Sequence, residues 1–159
     1  MVEETSDKER SSPEPAFETI SNETVFEELT LGMSMEDVRK LHPTASVGGG
    51  ARVKNVISTL PDGRSIVAKF LDGRLGIIVA KTKVKAGDAA EVDAAFQRAL
   101  AVHAKRFGMP PPGGVGKKSM IWTEGNISLM VRKDEKFGEV IEEFRDVTAS
   151  VQIRNIENR

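Results

Sequence analysis

The run RFGMPPPGGVGKKSMIW, Arg106 to Trp122, holds the residue types of a phosphate-binding loop. In such a loop glycines let backbone N–H groups close around phosphate. A lysine reaches the outer phosphates, and a hydroxyl binds Mg²⁺. The register fails here. With Gly116-Lys117 set on the G-K pair, the first glycine position is Pro111 and the hydroxyl position is Lys118. Moving to Lys118-Ser119 puts Lys117 where the second glycine belongs. The order of elements also fails, because a phosphate loop feeds a helix N-terminus and this run leads from a helix into a strand. Pro110, Pro111 and Pro112 have no N–H to offer an anion. The run reads as a stiff helix exit followed by a hinge, and no nucleotide is expected.

Other chemistry is sparse. His42 precedes Pro43 at a helix end, and His103 lies near the apolar face of a second helix. Two distant histidines without cysteine make no metal site, and no cofactor is expected. There is no G-x-S-x-G turn to expose a serine nucleophile. Asp62 and Asp72 precede glycines, where turn chemistry accounts for them. The carboxylates of EVIEEF and of Glu27-Glu28 read as solvated charge. Lys81, Lys83 and Lys85 make a basic stripe, with Arg52, Lys54, Arg64, Lys69 and Arg74 nearby. A nucleic-acid-binding sheet would interleave aromatics for base stacking, and Phe70 is the sole aromatic of these strands. That argues against nucleic acid.

The absence of cysteine excludes disulfides and thiolate chemistry. No apolar run approaches the ~20 residues of a membrane helix. Residues 1–28 hold nine acidic and two basic residues, so the remainder is net basic. Residues 1–22 read as a disordered acidic tail or linker, and 23–159 as a single domain. A tether or signal upstream of residue 1 would put the protein in the periplasm or cell envelope; without one it would be cytoplasmic.

The elements follow from caps and turns. Ser34 and Asp37 frame a capping box, Met33 and Val38 have staple spacing, and Pro43 stops a two-turn helix. TVFEEL before it fits either a helical turn or a strand. Gly48–Gly50 reads as a flexible connection. Three β-rich runs, RVKNVISTL, RSIVAKFL and RLGIIVAKTKV, are then joined at Asp62-Gly63 and Asp72-Gly73, the signal of a meander with type I′ turns. Asp88 and Glu91 open a second helix over 88–107, ended by Gly108 and Pro110. KSMIW, ISLMVRK and RDVTASVQIRN follow; in the last, Val147, Ala149, Val151 and Ile153 alternate as in a strand. KDEKFGEVIEEF lies between them as an insertion, helical turn or strand extension.

LGMSMEDVRKLHPTA resembles the "G-M-[ST]-x-x-x-V-x-x-x-x-x-P" opening of the BamE (SmpA/OmlA) outer-membrane assembly lipoproteins. ALAVHAKRFGMP and the Trp strand resemble the "L-x-x-x-x-G-x-P … W" of the same unit. Tandem copies of such a unit also build the β-lactamase inhibitor protein BLIP. The resemblance spans about 33–155 and implies a non-catalytic binding or scaffold module. His42 stands where that family usually has glycine, and no lipobox cysteine is present.

The expectation is therefore an α+β domain of two tandem helix–three-strand meander units, about 30–85 and 88–156. The antiparallel sheet would carry its helices packed on one face. The open face would bind another protein through Leu75, Ile77, Val79, Lys81, Lys83, Trp122, Met130 and Arg132, because interface cores favour Trp, Met and Arg. On this reading Trp122→Ala weakens partner capture more than it unfolds the domain. The alternative is a small-ligand or enzymatic pocket between helix 88–107 and the sheet, with Arg98, His103 and Lys105 as its polar groups.

Overall fold

The computed structural model describes residues 16–159. Most of the tail expected over 1–22 lies outside the described residues. From residue 16 the chain packs on the domain: Glu18 N–H donates to the Arg106 carbonyl and Ile20 is buried.

The fold is α+β: a seven-stranded antiparallel sheet with three helices. The elements are α1 (Met35–Leu41), β1 (Ser46–Gly49), β2 (Val53–Thr59), β3 (Ser65–Leu71), β4 (Arg74–Lys83), α2 (Ala89–Phe107), β5 (Ser119–Glu124), β6 (Ile127–Asp134), β7 (Glu139–Asp146) and α3 (Val147–Glu157). The strand order is β1-β2-β3-β4-β7-β6-β5. Both long helices begin on aspartate caps. Asp88 accepts from the Glu91 N–H and Asp146 from the Ala149 N–H. Ser34 caps α1 by accepting from the Asp37 N–H. Gly108, at φ 79°, lets the chain turn sharply out of α2.

The main core lies on one face, under α1 and α2. Val56, Ile66, Ala68, Phe70, Ile78, Ala80, Leu129, Val131, Val140 and Phe144 alternate inward from the strands against Val38, Val92, Phe96 and Leu100 of the helices. The opposite face is partly covered by α3. Ile153 and Ile156 pack there on Val53, Ile77, Leu71 and Val79. The helices therefore do not share one face, as the sequence led one to expect. Gly76 makes room for α3: a Cβ there would come within 2.9 Å of the Ala149 Cβ.

Several local expectations change. RDVTASVQIRN is the end of β7 and the helix α3, not a strand. Ala149, Ile153 and Ile156 also fit helical spacing, and the Asp146 cap selects it, leaving Val151 exposed. The last strand is instead Glu139–Asp146, which begins inside the supposed insertion, runs two residues past it and pairs between β4 and β6. Glu142 occupies an inward position there and hides the apolar alternation. Gly48 and Gly49 extend the edge strand β1 rather than forming a loose connection. Asp72 and Gly73 both have positive φ, as a type I′ turn needs. At the other turn only Gly63 does, so Pro61-Asp62-Gly63 forms a three-residue loop closed between Leu60 and Arg64. The two halves are also unequal, since β1 precedes one meander and α3 follows the other.

Candidate functional site

Two surfaces bring functional side chains together. The first is the part of the α3 face that α3 leaves open. Alternation and register put Lys81, Ile141, Arg132 and Ser119 in one row across β4, β7, β6 and β5. Val79, Glu143, Met130 and Ile121 form the next row. Lys81, Arg132, Met130 and Ile121 are half-buried, and Ile141 is buried between the two cations. Lys81 and Arg132 form no ion pair among the described residues, whereas Lys83 lies 3.7 Å from Glu139.

The eight residues expected to bind a partner are thus divided. Lys81, Lys83, Met130 and Arg132 share this open face. Ile77 is buried beneath α3, and Val79 packs at its edge. Leu75 and Trp122 belong to the opposite face. The register shift at Lys69/Phe70 turns Leu75 into the main core. Trp122 is buried there, donating its Nε1–H to the Gly108 carbonyl at 2.8 Å. The Trp122 indole lies across the main core and contributes nothing to the open face.

The second surface is a cleft of about 400 Å³ between α2 and the sheet. Its centre is a charge network that sequence reading did not assemble. His103 Nε2 lies 2.7 Å from Glu142 Oε1, and both side chains are buried. Arg64 donates to Glu142 at 3.0 Å, to Glu27 at 3.0 Å and to Asp62 at 2.9 Å. Burial opposes the charge on Arg64, but the Glu27 and Asp62 carboxylates outweigh it and raise the guanidinium pKa. Glu27 is presented by an unusual turn. Neither reading of TVFEEL holds, because Glu27 and Glu28 both take left-handed φ, 53° and 69°, between the bridged Phe26 and Leu29. That conformation is costly for a side-chain-bearing residue and is held by the buried ends of the turn.

Aromatic rings fix the histidine. Phe26 stacks on it at 5.9 Å, Phe107 at 6.4 Å, and Trp122 meets it edge-on at 6.0 Å. Arg98 lines the cleft, as the pocket reading expected; Lys105 is exposed and is not among its lining residues. One signal for the network was legible. A lone glutamate in the pattern Val140-x-Glu142-x-Phe144 must be buried with a partner. Arg64 and Glu27 had no such signal, because they reach Glu142 only through the fold.

Three surface carboxyls sit below their ordinary value of 3.8. The backbone N–H of Arg64 holds Asp62 down, the Arg52 guanidinium holds Asp72, and the Lys133 ammonium holds Asp93. A lowered folded pKa gives stability that is complete above the unfolded value and is lost as pH falls through the folded one. Denaturant midpoints followed into acid should show this contribution intact down to pH 3.8 and lost below it. Replacing the three aspartates with asparagine should make that acid slope shallower.

Among the described residues no three His, Asp or Glu side chains cluster as a metal site, and no helix is long and apolar enough to cross a membrane. No protein-family profile matches the chain, and neither curated proteins nor solved structures show a match.

Proposed function

We propose that this chain is a non-catalytic interaction domain that binds a partner protein through the open part of its α3 face. The observation that carries this reading is the row Lys81–Ile141–Arg132 beside Met130 and Ile121. Two cations without carboxylate partners among the described residues flank a narrow apolar strip of buried Ile141 and half-buried Met130 and Ile121. Such a strip suits a partner surface with apolar side chains at its centre and carboxylates at its rim. The Glu139 and Glu143 carboxylates on the same face are held by Lys83 and Arg145, which leaves Lys81 and Arg132 to set the charge preference.

A location at the bacterial cell envelope belongs to the same proposal. It rests on the resemblance of LGMSMEDVRKLHPTA to the BamE-type opening. Descent from a duplicated helix–meander unit is part of it too. Its support is that β2-β3-β4 and β5-β6-β7 each run as a consecutive meander after a capped helix, and meet where β4 pairs with β7.

The test is charge reversal. In capture from the native cell, the Lys81→Glu/Arg132→Glu variant should lose a specific partner by about tenfold or more. Its denaturant midpoint should stay near that of the parent, since neither side chain is in the core. Equal recovery by parent and variant would refute the docking face.

A further inference from the structure

The α2 cleft lies on the other side of the sheet from the docking face, and its charges are separated into an acidic cluster around Arg64 and a lone Arg98. Glu27, Asp62 and Glu142 share the single guanidinium of Arg64. Even with His103 charged, this cluster keeps one negative charge in excess. A free anion would meet that excess. Arg98, exposed at the cleft and without a carboxylate partner among the described residues, would in turn oppose a simple cation. Both features are met by a ligand that carries one charge of each sign.

From this geometry we infer that the cleft binds a small zwitterion of the amino-acid class. Its ammonium lies toward Glu27 and Asp62, and its carboxylate lies on Arg98. Space and lining agree with this. A cleft of about 400 Å³ falls within the range that takes small organic molecules. Ala95 and Ala99 leave the α2 wall open, and Val102 adds apolar surface for a ligand side chain. The rest of the cleft is built to stay put. His103 is clamped by three rings and Glu142, and Glu142 by His103 and Arg64, so little reorganisation attends binding. Arg98 is the one cation at the cleft with no structural partner among the described residues, and so the one free to serve a ligand.

The experiment is an NMR titration of the isotope-labelled full chain. The probes are the common L-amino acids, 4-aminobutyrate and 6-aminohexanoate, each taken into the millimolar range. Each hit is repeated as its amide and as its N-acetyl derivative, which keep one charge apiece. The expected result is saturable shifts at the His103 ring and at the Ala95 and Ala99 amides for at least one zwitterion. Single-charge derivatives should bind about tenfold or more weakly. Arg98→Gln should lose about tenfold in affinity with an unchanged midpoint of unfolding. The docking-face variant Lys81→Glu/Arg132→Glu should bind the zwitterion as the parent does, which separates this site from the docking face. The inference is overturned by an absence of cleft shifts with every probe, by single-charge derivatives that bind equally well, or by full affinity in Arg98→Gln.

Discussion

Trp122→Ala should cost the domain about 3–5 kcal/mol of stability, the range for emptying a large aromatic from a core. Trp122 is 4% exposed. Its indole N–H satisfies the Gly108 carbonyl where α2 ends, and its ring meets the His103 edge at 6.0 Å. Alanine removes both contacts. It leaves a cavity between the end of α2 and β5 that a rigid sheet fills poorly. Trp122→Phe should cost less, because it retains ring volume while losing the hydrogen bond. Trp122 is the sole tryptophan, so far-ultraviolet circular dichroism in denaturant is the suitable readout. This reverses the expectation attached to Trp122 as an interface residue. A variant that folded as stably as the parent but lost its partner would restore that role.

Arg64→Met should lose about 3 kcal/mol, the low end of the range for breaking a buried ion pair. The low end applies because Glu27 and Arg64 side chains are each 22% exposed and retain some water. Removing the guanidinium leaves Glu142, whose side chain is 6% exposed, with His103 alone. Glu27 then has no ion-pair partner among the described residues at its left-handed turn. Glu142→Gln is the informative companion. The amide oxygen can still accept from Arg64, its NH2 can donate to a neutral His103 Nε2, and one charge leaves an acidic cluster, so its cost should be well under that of Arg64→Met. In the double variant, Glu142→Gln should recover part of what Arg64→Met loses, because the stranded charge is gone. Additive losses would mean that the two side chains do not share one network.

Local signals were readable in the sequence and long-range ones were not. Ser34, Asp88 and the Asp72-Gly73 turn specify their own geometry within four residues, and each appears as expected. The C-terminal segment failed for a physical reason. Ala149, Val151 and Ile153 fit a period of two, and Ala149, Ile153 and Ile156 fit a helix. Only the Asp146 cap, supported by Asn126 accepting from the Thr148 N–H, decides between them. The placement of Leu75 turned on a register shift opposite Phe70, and that of Trp122 on which face of β5 meets the end of α2. Neither is encoded in alternation alone. A cleft does lie between α2 and the sheet, lined by His103 and Arg98 but not by Lys105. Its other members come from positions 37 and 78 residues away from Arg64 and meet only in the folded sheet.

Site-specific photo-crosslinking in the native cell tests the docking face most directly. A benzophenone amino acid would replace Met130 on the open face and, as a control, Leu41, an exposed residue of α1 on the other side of the sheet. The account predicts a discrete protein adduct from position 130 and none of that mass from position 41. The adduct should disappear when Arg132→Glu is added. The same adduct from both positions, or an adduct at 130 that survives Arg132→Glu, would contradict it.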